Sequence, residues 1–163
     1  MEIFSSRHQL DEIDKKILDL IQYDADYTNK EIASKLGLTI TPVYERIKKM
    51  KKSGIIKKNI AILDPKKLGF GIFSFCNVSL KEHSKQHIIN FENKIQLLNE
   101  VQCCYHISGQ YDFLLTIYAK DIEEYQNFLT TKLAAIENIS NVQSQFVMKE
   151  IKKEFGIKLL NRI

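Results

Sequence analysis

The chain has 163 residues, 44% of them apolar and 27% charged, a balance that suits a folded protein with its own core rather than a disordered one. No apolar run approaches the roughly 18 residues of a membrane helix, and three cysteines (Cys76, Cys103, Cys104) are too few for a disulfide framework. The net charge is +4, but residues 39–60 set Arg46 and six lysines against the single acid Glu45, so this stretch carries +6 and the remainder −2. A basic segment on a near-neutral body is either the footprint of a polyanion or a solvated helix face. The opening MEIFSSRHQLDEID turns charged too early for a secretory leader, so reduced thiols and a cytoplasmic location are expected.

In chain order, helical spacing of Leu10, Ile13, Ile17, Leu20 and Ile21 predicts a first helix over about 10–22. Asp11, Glu12 and Asp14 crowd its first turn, where negative charge suits the helix dipole. A second helix is expected over 29–36, capped by Thr28 or Asn29 and stopped by Gly37, with Ile32, Ala33 and Leu36 inward. A third begins at Thr39 or Thr41, tolerates Pro42 in its first turn and ends at Ser53-Gly54. Val43, Ile47 and Met50 form its inward stripe.

Two short helices about a glycine turn, the second of them basic, make a helix-turn-helix pattern. Rotation at about 100° per residue turns Thr41, Glu45, Lys48, Lys49 and Lys52 outward, with Tyr44, Arg46 and Lys51 on the flanks. If the N-terminal part of this helix enters a major groove of double-stranded DNA, Thr41, Tyr44, Glu45 and Lys48 reach base edges. Glu45 either accepts from a cytosine amino group or pairs with Lys49 one turn on. Lys49, Lys51, Lys52, Lys57 and Lys58 meet phosphates.

Ile55 to Leu63 is β-rich enough for a hinge strand, and Asp64-Pro65 marks a turn, which places a domain boundary between 63 and 64. Beyond it the pattern runs strand 70–80, helix 84–98, strand 101–108, strand 111–119, helix 121–136, strand 142–152. This βαββαβ order is the ferredoxin-like split βαβ, so the whole chain is α+β. Tyr111, Phe113, Leu115 and Ile117 are expected on one face of the third strand, and Leu114, Thr116 and Tyr118 on the other. Two helices cover only one face of four strands, so an apolar second face calls for a second copy and a homodimer.

Leu10-Asp11-x-x-Asp14-x-x-Ile17-Leu18, Glu31-Ile32-Ala33 through Gly37-Leu38-Thr39, and Pro42-Val43-x-x-Arg46-Ile47 together resemble the Lrp/AsnC (feast/famine) family of transcription regulators. Gly54-Ile55-Ile56, Leu63-Asp64-Pro65 and Gly109-x-Tyr111-Asp112-Phe113-Leu114-Leu115 extend the resemblance over nearly all of the chain. It implies a winged-type helix-turn-helix domain at 1–63 and a ferredoxin-like sensing and assembly domain at 64–163. It also implies dimers that assemble into octamers, and an amino-acid effector held between dimers. DNA contacts then fall on Thr39, Thr41, Tyr44, Glu45, Arg46, Lys48, Lys49 and Lys52, and effector contacts on Ser108, Gly109, Gln110, Tyr111, Asp112 and Ser144. Backbone amides at the Gly109 turn suit a carboxylate and Asp112 an ammonium group, although Gly109 and Asp112 also read as plain hairpin residues. Gln110 stands where the family often has an acid, and Val142 and Ser144 where it often has threonines.

Cys103-Cys104-x-His106 lacks the further ligands of a tetrahedral metal site, and His83 with His87 lacks a third. No nucleophile elbow, Walker sequence or HExxH motif is present, so neither cofactor nor enzymatic activity is expected. The alternatives are an amino-acid-binding regulatory subunit or small enzyme, which leaves the +6 segment unexplained, and an RNA-binding module. For the latter, Tyr111-Asp112-Phe113-Leu114 is acidic and apolar where a basic-Gly-aromatic signature is required.

Overall fold

The computed structural model describes residues 9–160 and divides the chain into two units, each with its own core. The first unit contains the residues up to Ile62 together with the segment from Lys152; the second runs from Leu63 to Ile151. The segment from Lys152, expected in the second domain, packs with the first unit. The export-leader reading of residues 1–8 lies outside the described residues, as do 161–163. Among the described residues no helix is long and apolar enough to cross a membrane.

Three helices build the first unit: α1 (Glu12–Tyr23), α2 (Asn29–Leu36) and α3 (Ile40–Lys52). Each of the first two starts on a reciprocal capping box. Asp11 Oδ1 accepts from the Asp14 N–H at 2.8 Å while Asp14 Oδ2 accepts from the Asp11 N–H at 3.3 Å. Thr28 and Glu31 do the same for α2, which settles Thr28 as its cap. Gly37 ends α2 in the left-handed conformation (φ 66°), and the Leu38 N–H closes back on the Ala33 carbonyl at 2.9 Å. Ile17, Ile32, Val43 and Met50 are almost fully buried, each stabilising the unit by roughly 1.5–3 kcal/mol.

The second unit is a four-stranded antiparallel sheet covered on one face by helices. Its elements are β1 (Ile72–Leu80), α4 (Lys85–Ile95), β2 (Val101–His106), β3 (Phe113–Ala119), α5 (Ile122–Asn127) and β4 (Ile139–Phe146). The strand order is β2-β3-β1-β4, as the split βαβ reading requires. Cys76, Val78 and Leu80 of β1 and Phe113, Leu115 and Ile117 of β3 face Phe91, Ile95, Tyr125, Phe128 and Leu133 of the helical layer. The rings of Phe91 and Phe113 lie 4.4 Å apart at the centre of this core.

Four expectations change. No strand forms over 55–63, because no neighbouring strand of the described chain lies there to complete its hydrogen bonds; Ile60, Ile62 and Leu63 run exposed instead. The last helix is not α-helical to residue 136. After Asn127 it widens into a π-helical turn over Phe128–Leu133, with the Ala134 N–H bonded to the Leu129 carbonyl five residues back. The last strand begins at Ile139 rather than 142 and stops at Phe146, before the segment that joins the first unit. Tyr111 precedes β3 and escapes its alternation, its hydroxyl reaching the side chain of Gln143 on the face away from the helices.

At the mouth of β1, the Gly71 N–H donates to the Lys120 carbonyl at 3.0 Å, and a Cβ at Gly71 would stand 2.8 Å from that oxygen. Gly71→Ala is expected to destabilise the second unit by about 1–3 kcal/mol, as overpacking against backbone does. Urea unfolding followed by tyrosine fluorescence checks this; an unmoved midpoint would mean that the backbone yields without cost.

Candidate DNA interface and effector site

The sequence presents α3 as a uniformly basic helix, but its cations do two different jobs. Arg46 is turned inward. Its Nη1 donates to Asp11 Oδ2 and to Asp14 Oδ1, both at 2.6 Å, so the residue bridges the start of α1 to the middle of α3. The Asp14 side chain is only 8% exposed, and that of Arg46 31%. Its hydrogen bonds to the Asp14 and Asp11 carboxylates hold the guanidinium even more firmly protonated than usual. The Asp14 backbone N–H and then Arg46 lower the Asp11 carboxyl below its ordinary value. Arg46, expected on the flank of α3 and among the DNA contacts, is thus paired within its own unit with Asp11 and Asp14. Asp11 and Asp14, read from the sequence as dipole partners of α1, prove to be the acceptors that hold α3. A cation midway along a helix whose partner helix opens on two acids was the available signal.

The other candidates face outward. Thr39 caps α3 by position, but its side chain makes no capping bond. Thr41, Glu45, Lys48, Lys49 and Lys52 are exposed, and Tyr44 is 47% exposed with the Lys48 ammonium 5.6 Å from its ring centre. Pro42, Glu45, Lys48, Lys49 and Lys52 rim a shallow groove of about 630 Å³ whose inner wall is the Arg46–aspartate cluster. One continuous face therefore carries hydroxyls and a tyrosine at its start and lysines toward its end.

In the second unit the turn between β2 and β3 presents Ser108, Gly109 and Gln110 to solvent. Gly109 has φ 132°, a conformation that favours glycine. Asp112 is engaged more fully than a free ammonium-binding carboxylate would be. Its Oδ2 accepts from the Leu80 N–H at 2.7 Å, and its carboxylate lies 2.9 Å from His83 Nε2. Its own N–H donates to the Val78 carbonyl at 3.0 Å. Asp112 thus ties the turn to the end of β1.

Ser144 is not part of this turn. It lies opposite Cys76 on the helix-covered face of β4, where its Oγ accepts from the Tyr125 hydroxyl at 2.7 Å. There it helps to floor a cavity of about 390 Å³, walled by Leu129, Leu133, Ile136, Ile139 and Val142, with Lys81 and Glu137 at its edge. The π-helical turn supplies Leu129 and Leu133 to that wall. Asn138 keeps the edge in place from a left-handed conformation (φ 71°), clamping Glu82 through both ends of its side-chain amide at 3.1 and 2.9 Å. Lys81, Glu137 and Asn138 were not singled out from the sequence, where only the tolerance of Asn for that conformation hints at them.

Burial pushes the Cys76 and Cys104 thiols up to about 11, so both are poor nucleophiles at neutral pH. Among the described residues no three His, Cys, Asp or Glu side chains converge as a metal site.

Replacing Arg46 by Met leaves the Asp14 carboxylate buried without its partner. The first unit is expected to lose about 1–3 kcal/mol, less than a fully buried pair because Arg46 is about one-third exposed. Since the folded-state pKa of Asp11 is depressed, its share of the stability is full above the ordinary value of 3.8 and is lost as pH falls through the lowered one. Thermal melts between pH 2 and 6 check both: an Arg46→Met chain with the same acid dependence as the parent would deny the coupling.

Comparison with known proteins places both units. Residues 10–57 match a winged helix-turn-helix DNA-binding family, and residues 74–157 match the Lrp/AsnC ligand binding domain. The chain is 35% identical over 150 residues to the transcriptional regulator AzlB of Bacillus subtilis, covering 92% of this chain and 96% of that one. It is 32% identical over 153 residues to a leucine-responsive regulatory protein of Rhizobium meliloti, covering 94% and 98%. A transcriptional regulator of Neisseria meningitidis, solved as a complex with L-methionine, superposes with a TM-score of 0.88 at 29% identity, covering 91% and 96%. The basic helix-turn-helix and the βαββαβ sheet that follows it are the two halves of one architecture, and the chain belongs to the Lrp/AsnC family of DNA-binding transcriptional regulators.

Proposed function

We propose that the chain regulates transcription by reading a specific duplex sequence through α3 and by answering to an amino acid or a closely related metabolite. The observation that carries the first part is the division of labour on α3. With Arg46 neutralised by Asp11 and Asp14, the groove-facing surface is left to Thr39, Thr41, Tyr44, Glu45 and Lys48, with Lys49 and Lys52 for phosphates. The effector reading is supported by the cavity beside Ser144. Its volume is at the small end of ligand sites, its wall is aliphatic, and opposite charges stand at its edge. A free amino acid has matching parts: a carboxylate for Lys81, an ammonium for Glu137 and a side chain for the wall. Ser108, Gly109, Gln110 and Tyr111 form a second, exposed contact group suited to closing over an effector from a neighbouring copy.

The working form is a homodimer in the cytoplasm that builds toward an octamer. The face of the sheet away from the helices supports the dimer. Phe73, Phe75, Leu114 and Tyr118 are gathered there and stay partly exposed, the rings of Phe73 and Tyr118 stacked at 4.6 Å. Stacking this face on its copy removes it from water. Leu114→Glu is expected to convert the dimer to monomer in sedimentation velocity without unfolding the sheet; a persisting dimer would place the interface elsewhere.

Fluorescence anisotropy against duplex DNA from upstream of the gene, beside a scrambled duplex and with or without a pool of amino acids, tests the whole reading. Selective binding that shifts with the pool is expected. Lys49→Ala and Lys52→Ala should each weaken all duplexes alike and lower the salt slope by about 1. Lys48→Ala should also relax sequence preference if it meets a base. Binding indifferent to all three changes would remove α3 from the interface.

A further inference from the structure

The segment from Lys152 belongs to the DNA-binding unit although it follows the last strand of the sheet unit. It has no regular structure of its own, so its backbone groups need partners from elsewhere. The end of α1 provides them. Gln22 Nε2 donates to the Ile157 carbonyl at 3.1 Å and the Ile157 N–H donates to Gln22 Oε1 at 2.7 Å. One side-chain amide thereby does for Ile157 what a neighbouring strand would do. The Leu159 N–H reaches Asp19 Oδ1 at 3.4 Å, and the Leu159 side chain packs on the three-helix core. Close approach depends on Gly156, where a Cβ would lie 3.3 Å from Gln22 Cβ. Apolar burial adds little, since Phe155 and Ile157 are 61% and 75% exposed. The contact is thus specific in geometry and weak enough to open.

We propose that residues 153–160 are a releasable clasp on α1, through which the last strand of the ligand-binding sheet governs how firmly the DNA-reading helix is held. The clasp grips α1 at Asp19 and Gln22, near its C-terminus. Asp11 and Asp14 at the opposite end hold Arg46 of α3. One 12-residue helix joins the two contacts. Opening the clasp frees the end of α1 and slackens the support of α3; closing it restores that support.

Two variants test this, one cross-linked and one shortened. In a Cys103→Ser, Cys104→Ser background, Gln22→Cys with Gly156→Cys places two Cβ atoms at near-disulfide separation. Mild oxidation is expected to give a cross-link within one chain on a non-reducing gel, and slower amide exchange in α1. Ending the chain after Ile151 is expected to speed exchange in α1, leave exchange in the sheet unchanged, and weaken operator binding about fivefold, the worth of a lost hydrogen bond. A cross-link between two chains, or α1 exchange that neither variant alters, overturns the proposal. The exchange readout does not depend on the DNA-binding reading, so failure of the clasp and failure of that reading are separable.

Discussion

The bridge from Arg46 to Asp11 and Asp14 is the contact on which the DNA-reading surface depends. A recognition helix has to expose many cations and still be held at a fixed angle by helices that are too short to be stable alone. Apolar packing of Val43, Ile47 and Met50 supplies cohesion, but it is nearly indifferent to small rotations about the helix axis. A charged bridge is directional. One guanidinium nitrogen placed 2.6 Å from two carboxylates fixes the rotation, and thereby which of Thr41, Tyr44, Glu45 and Lys48 point away from the core. Lysine could offer the charge but not the rigid planar group. The acceptors are not idle otherwise: Asp11 and Asp14 also close the capping box of α1, so the same two residues begin one helix and orient another.

How much of this was readable in advance follows the range of the interactions involved. The bounds of α2 come out to the residue because Thr28, Glu31 and Gly37 act within one turn of the positions they define. The two faces of β3 from Phe113 onward come out because alternation is a property of the strand itself. What fails depends on partners remote in sequence. The stretch 55–63 has the composition of a strand but no pairing partner among the described residues. The π-helical turn after Asn127 leaves no mark on the apolar spacing, which Leu129 and Leu133 satisfy in either geometry. Arg46 looks like any other cation of a basic helix until α1 is folded beside it. Ser144 carries a plausible polar side chain, but its partner Tyr125 places it on the face away from Gln143 and Tyr111.

The two faces of the sheet show a division of roles set by the order of elements. Both crossover helices lie on one side, so the large side chains of that side are consumed in a closed core. The other side keeps Phe73 in contact with both Phe75 and Tyr118, all three partly exposed. Space for a ligand arises instead where regular packing lapses, beside the π-helical turn and the left-handed Asn138.

Asp112 shows why the chemistry of the sensing unit cannot be carried over from its motif alone. Read in isolation, an acid beside a glycine turn is an ammonium receptor. In place, the Leu80 N–H and His83 already occupy its carboxylate, and its own N–H is bonded to β1. The remaining lone pairs of the carboxylate can still accept, but the Leu80 N–H and His83 fix the direction in which they point. Glu137 stands at the edge of a cavity walled by aliphatic side chains. On the proposed reading Asp112 is the strut that sets the turn, and the charged ends of an amino acid fall to Lys81 and Glu137.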